Sequence, residues 1–225
     1  TNGRFDVEVL FLARNFIHFN KITREIMKKY GEFLSNNITS VSISNYHHKK
    51  FWLVPRKSRE IQLFYGGEPS KVKIDETDLK LINLLSINAR LNNVEIGKKL
   101  NLVPNAVKYR IINLENKGII QTYRTWIDPF KIGYQWYKAL VTFKYLDEII
   151  ERKILEFCRN EQNMLYMVTC IGPWNIELEA EVPNNEKFRD IMARFRNQFS
   201  DHILDYETLL VYSEYKLDYF PMKNL

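Results

Sequence analysis

IDETDLKLINLLSINARLNNVEIGKKLNLVPNAVKYRIINLENKGIIQTYR, residues 74–124, decides how this chain is read. Asp75 is placed to cap a helix, with Asp78 at the third helical position and Ile74 and Leu79 where a hydrophobic staple belongs. Leu79, Ile82 and Leu85 give that helix a buried side, which ends near Asn88. Asn92 followed by Glu95 starts a second, short helix with Ile96 and Leu100 on one face. A tight turn at Asn101-Leu102 follows. Pro104 suits the first position of a third helix, where its missing N–H costs nothing, and Val107, Ile111 and Leu114 form its core stripe. Val103 precedes it, so this helix is expected to start without a side-chain cap. Gly118 stops it, and residues 119–128 alternate as a two-stranded wing would. The pattern predicts a winged helix-turn-helix.

A third helix of this kind docks in the major groove of DNA, about 12 Å wide, with its N-terminal residues toward base edges. With Val107, Ile111 and Leu114 buried, Asn105, Lys108, Tyr109 and Asn113 are the expected groove contacts. Asn can pair bidentately with adenine and Lys can donate to guanine. Lys98, Lys99, Arg110 and Arg124 are expected on phosphates, which orient a protein without reading sequence. Charge agrees: residues 1–124 carry a net positive balance, whereas 125–225 hold twelve Lys/Arg against sixteen Asp/Glu. Only part of the molecule is therefore expected to meet a polyanion. A trihelical bundle that binds protein shares the same pattern; the basic balance and the polar outer face of the third helix favour double-stranded DNA.

The flanking sequence repeats itself. At an offset of 169, Gly3, Phe5, Asp6, Glu8, Asn15, Phe19 and Ile22 meet Gly172, Trp174, Asn175, Glu177, Asn184, Phe188 and Ile191. At 166, Tyr46, Lys50 and Pro55 meet Tyr212, Lys216 and Pro221. The later copy has strand candidates at 137–145, 164–170, 174–182 and 203–217. Helical stripes lie between them at 147–160 and from Asn184 or Asn185 to Phe199. That order, β-α-β-β-α-β, is ferredoxin-like, and the fold class is α+β. Residues 1–54 hold only the second half of such a unit, with 3–13 as its third strand. They are expected to expose strand edges or to borrow a partner sheet. Residues 55–72 read as a linker, 73–128 as the winged helix-turn-helix, and 129–225 as the complete ferredoxin-like domain.

Other chemistry is thinly represented. Hydrophobic content of 45% and charged content of 27% suit a globular protein. No apolar run reaches the ~18 residues of a membrane span, so no membrane partner is expected. Cys158 and Cys170 form no CxxC, which points to a reduced protein. His47 and His48 fall on opposite faces of a strand and make poor metal co-ligands, so no metal is expected. Glu177, Glu179 and Glu181 share one sheet face, expected to be solvated or an interface rather than a catalytic pair.

Residues 74–134 closely resemble the N-terminal domain of Lrp/AsnC (feast/famine) transcription regulators. The resemblance rests on Ile74-Asp75, Asp78, Asn88-Ala89-Arg90, Tyr109-Arg110-Ile111, Leu114-Glu115 and Gly118-Ile119-Ile120. The unit at 137–220 is similar to that family's RAM domain, for effector binding and oligomerisation. With residues 1–54 as the back half of an earlier RAM copy, the resemblance covers the chain and implies the tandem subgroup, truncated at its N-terminus. It implies a cytoplasmic, nucleoid-associated regulator that pairs its RAM copies or self-associates. No cofactor is implied, only an unidentified small-molecule effector, in the family an amino acid. Gly3, Asp6, Gly172 and Asn175 mark the candidate effector or interface site; where the family carries Asp after the Gly, the second copy has Asn175 beside Pro173 and Trp174. The rival reading is an enzyme: sirohaem decarboxylases resemble Lrp/AsnC proteins in both domains and need a cationic tetrapyrrole pocket.

Overall fold

The structure is a computed structural model and describes residues 1–50, 52–53, 63–68, 72–218 and 220. Along the chain run α1 (Phe16–Tyr30), β1 (Val41–His47), β2 (Leu63–Gly66), α2 (Glu76–Ile87), α3 (Asn93–Leu100), α4 (Pro104–Asn116), β3 (Gln135–Phe143), α5 (Glu148–Asn160), β4 (Met164–Ile171), β5 (Ile176–Val182), α6 (Asn185–Phe199) and β6 (Ile203–Val211). They divide into two compact units. One takes Thr1–Gly67 and Ile127–Glu214, and the other Glu68–Trp126 with Tyr215–Leu225.

The first unit is built on a six-stranded antiparallel sheet of order β2-β1-β4-β5-β3-β6. Its last four members, with α5 and α6, form the expected β-α-β-β-α-β unit. Alternation in β3 and β5 sends Tyr137, Ala139, Val141, Ile176, Leu178, Ala180 and Val182 to one face. Ile150, Ile154, Leu155, Phe157 and Cys158 of α5 cover that face, with Phe188, Ile191, Met192, Phe195 and Phe199 of α6. Both cysteines are free and buried. Burial raises both thiols, Cys170 to about 12, which makes them poor nucleophiles.

The internal repeat is visible in α1 and α6. Each has fifteen residues, and each begins after an Asn whose side chain accepts from the backbone N–H three residues on: Asn15 from His18 and Asn184 from Lys187. The helices differ in what lies beneath them. Five residues of α6 are buried, and none of α1 is. At roughly 1.5–3 kcal/mol for each large apolar side chain fully buried, α6 is held by tertiary packing and α1 far less.

Four expectations about strands need correction. Residues 3–13 form no strand: apart from the bridge Asn2–Leu210 they carry no ladder, and Val7, Val9, Leu10 and Leu12 are exposed. Their counterpart β5 is paired on both sides, with β3 and β4, and 3–13 has no such neighbours. The presumed linker contains β2, which pairs with β1 from Ser44–Gly66 to His47–Leu63; the rest of it (55–62 and 69–71), with Pro221, lies outside the described residues. The last strand stops at Val211 rather than 217, and 119–128 carries no ladder. The predicted borrowing of a sheet does occur, since β1 adds to the free edge of β4.

The second sheet face holds charge. Glu177, Glu179 and Glu181 are buried, which suits the expected interface and not a solvated face. The Lys138 ammonium lies 3.0 Å from Glu177 and 3.1 Å from Glu179 and also pairs with Glu8, while Glu181 pairs with Lys50. The indoles of Trp136 and Trp174 donate to Glu179 (2.9 Å) and Glu177 (2.8 Å). The N-terminal segment crosses this face through Arg4–Glu207, Phe5 on Trp174 and Glu8–Lys138. Burial works to lower the Lys138 ammonium, but the three carboxylates overcome it and hold it well above its usual value. Burial pushes Glu179 up to about 7, with Glu8 and Glu177 adding and Lys138 opposing.

An acid raised in this way favours the folded protein only while it keeps its proton. Between its ordinary value of 4.5 and about 7 the folded chain binds a proton that the unfolded chain has lost. Stability from Glu179 therefore falls as pH rises through that window. Thermal unfolding from pH 4.5 to 8 should show Glu179→Gln with a shallower decline than the parent; matching slopes would refute the assignment.

Candidate nucleic-acid interface

The helical unit is built from local signals that each leave a hydrogen bond. Asp75 Oδ1 accepts from Asp78 N at 2.7 Å, and Asp78 Oδ2 accepts from Asp75 N at 3.2 Å, a reciprocal cap on α2. Asn92 Oδ1 accepts from Val94 N and Glu95 N, and Glu95 Oε2 accepts from Asn92 N, which repeats the device on α3. As expected, α4 has Pro104 in its first turn and no side-chain cap at Val103.

Between α3 and α4 the chain reverses at Asn101, the one described non-glycine residue with positive φ (56°). Leu102 N donates to Gly97 O at 2.9 Å. A Cβ on Gly97 would lie 2.5 Å from Leu102 O, so the turn closes against a helix that has no side chain there. Leu81, Ile82, Leu85, Ile96, Val107 and Leu114 fill the core, with Leu100, Ile111 and Phe220 against it. Leu81 is fully buried and replaces Leu79 in the expected stripe; the buried side of α2 runs through Asp78, Leu81, Ile82 and Leu85.

This packing presents the expected groove residues outward. Asn105, Lys108 and Tyr109 are exposed, Tyr109 by 74%, and Asn113 is half-buried on the same helix. Lys98 and Lys99 are exposed in the last turn of α3, where they also complement the helix dipole. Arg124 is half-buried. Tyr123 donates to Glu115 Oε1 at 2.8 Å, and burial with that carboxylate pushes its phenol up to about 12.

Arg110 is placed differently from its expected role. Its Nη1 lies 2.7 Å from Asp75 Oδ2 and 2.6 Å from Asp78 Oδ1. The backbone N–H of Asp78, then Arg110, holds the Asp75 carboxyl below its usual range, and the two acids raise the guanidinium. Lys117, seven residues on, donates to Lys73 O at 3.1 Å. Nothing local to Arg110 announces these partners, thirty-five and thirty-two residues away.

Of the four residues expected at an effector or interface site, three make contacts within the sheet unit. Asn175 Oδ1 accepts from Phe143 N at 2.7 Å, and its backbone bonds Val141 and Cys170. Gly3 lies against Leu209 and Gly172 against Thr39 and Ser40, while Asp6 is exposed.

A winged helix-turn-helix DNA-binding family matches residues 74–121. The chain is 33% identical to the HTH-type transcriptional regulator LrpB of Bacillus subtilis over 44% of its length and 66% of the relative. It is 40% identical to LrpA of Pyrococcus horikoshii over 38% and 64%. With an HTH-type regulator of Pyrococcus furiosus the identity is 31% over 55% and 80%. The match thus spans just under two thirds of LrpB and of the P. horikoshii LrpA. Among solved structures, B. subtilis LrpC aligns with a TM-score of 0.53 at 26% identity, covering 64% of this chain and 99% of LrpC. A Neisseria meningitidis transcriptional regulator in complex with L-Met shares the fold at 0.58 and 21%, covering 65% and 95%.

The turn makes a direct demand on Gly97. Gly97→Ala should cost about 1–3 kcal/mol, as overpacking does, and speed hydrogen exchange at the amides of α3 and α4. Unchanged protection of those helices would show that the close approach is not a constraint.

Proposed function

The chain belongs to the Lrp/AsnC family of HTH-type transcriptional regulators, and from that premise we propose that it binds double-stranded DNA sequence-specifically to regulate transcription. The observation that carries this reading is the outer face of α4. Asn105, Lys108 and Tyr109 stand exposed on it, and Lys98 and Lys99 are exposed at the end of α3. In the proposed complex Asn105, Lys108, Tyr109 and Asn113 meet the groove, while Lys98, Lys99 and Arg124 meet phosphates. A single module of this size binds weakly. Self-association through the sheet unit would make the second contact intramolecular and raise avidity by about 10²–10⁴.

The neisserial structure holds L-Met, and on that likeness an amino-acid effector is proposed here too. The protein's proposed place is the cytoplasm, on the nucleoid. The sirohaem-decarboxylase reading fits less well. Its tetrapyrrole carries several carboxylates, and the second sheet face of this unit is lined by Glu177, Glu179 and Glu181.

Selection of duplexes from a random library, followed by titration at several salt concentrations, tests the proposal. The expected result is an enriched sequence bound with a steep salt dependence; binding to no duplex would overturn it. Lys99→Ala should weaken all DNA alike and reduce the log–log salt slope by about one. Lys108→Ala should lose about 1–3 kcal/mol on the selected sequence and much less on random DNA. An unchanged slope for the first, or equal losses on both DNAs for the second, would sink the corresponding contact.

A further inference from the structure

We propose that Arg110 is a positioning residue that fixes the roll of the DNA-reading helix, rather than a phosphate contact. The inference rests on the DNA-binding reading above. Its ground is how four carboxylate oxygens are shared out. In Asp75, Oδ1 accepts from Asp78 N and Oδ2 from Arg110; in Asp78, Oδ2 accepts from Asp75 N and Oδ1 from Arg110. Each acid therefore caps α2 with one oxygen and grips α4 with the other. Arg110 is 28% exposed and Asp78 only 7%, so the bridge is shielded on one side.

The other contacts of α4 are of a different kind. Val107 and Leu114 hold it to the core by apolar contact, which is non-directional. Its first turn has no side-chain cap that would pin it. Arg110 and Lys117 lie two turns apart on one stripe, and both bind the segment that opens α2: Asp75 and Asp78 from the first, Lys73 O from the second. Arg110 follows Tyr109 directly, so a roll that freed it would carry Tyr109 and Lys108 away from their outward positions. Directional bonds on one side of the helix thus set what the other side offers to the groove.

The two roles predict opposite signs. Asp75→Asn keeps the cap, since Asn caps as well as Asp, but removes a negative charge beside a polyanion site. Electrostatics alone makes this variant bind DNA more tightly. Positioning makes it bind the selected duplex more weakly, by roughly tenfold for a coupled pair, with little change on random DNA. Arg110→Met should give a similar loss without changing the salt slope. The double variant should bind about as well as Arg110→Met alone. Thermal unfolding and circular dichroism on each full-length variant, with binding measured well below its transition, separate misfolding from misorientation. Tighter binding by Asp75→Asn, a slope lowered by about one in Arg110→Met, or additive losses would overturn the proposal while leaving DNA binding intact. A parent protein that binds no duplex would overturn both.

Discussion

An extended segment becomes a strand only when neighbours on its edges take up its backbone N–H and C=O groups, and that constraint organises the larger unit. β5 satisfies it twice, between β3 and β4, and all seven of its residues are buried. The related segment at 3–13 has comparable alternation but no ladder, and its apolar residues stay exposed. The same constraint explains β1. The outer edge of β4 would otherwise be open, and β1 closes it, with β2 lying beyond. Helix formation is more local, so α1 and α6 keep the same length and the same Asn cap despite their different surroundings.

Burying β5 on both faces brings carboxylates out of water, and the structure answers with directed partners. One ammonium, Lys138, is shared by Glu8, Glu177 and Glu179, and two indoles donate to the same acids. Buried charges left without such partners would be strongly destabilising. Burial is the main cause that pushes Glu179 up to about 7, and the excess of negative charge left by three acids around one cation adds to it. The face is therefore a charge network crossed by the N-terminal segment and not an open platform.

The helical unit solves a different problem, the presentation of one helix face. Gly97 lets the turn close, Asn101 adopts the left-handed conformation that reverses the chain, and the core sets which side of α4 is hidden. Apolar packing alone would permit some roll. The bridge from Arg110 to the two capping acids of α2 removes it, so capping, a local device, and helix orientation, a tertiary one, depend on the same two side chains.

Much of what is decided within about four residues was legible in the sequence, although the stripe of α2 was read through Leu79 where Leu81 is the buried residue. Asp75 and Asn92 cap their helices, Pro104 opens α4, Asn184 precedes α6, and the buried stripes of α5 and α6 fall where their periodicity puts them. The exposed positions of Asn105, Lys108 and Tyr109 followed from the stripe on the opposite side of the helix. Contacts across long stretches of chain were not legible. The two acids that pair with Arg110 lie more than thirty residues from it, and Lys138 meets Glu8 across a separation of 130. Glu177, Glu179 and Glu181 alternate as a solvated face would, and only the assembled sheet shows them buried. Helical hydrogen bonds and caps join near neighbours and are written in short motifs. Ladders and buried ion pairs depend on which distant segments meet, and the fold decides that.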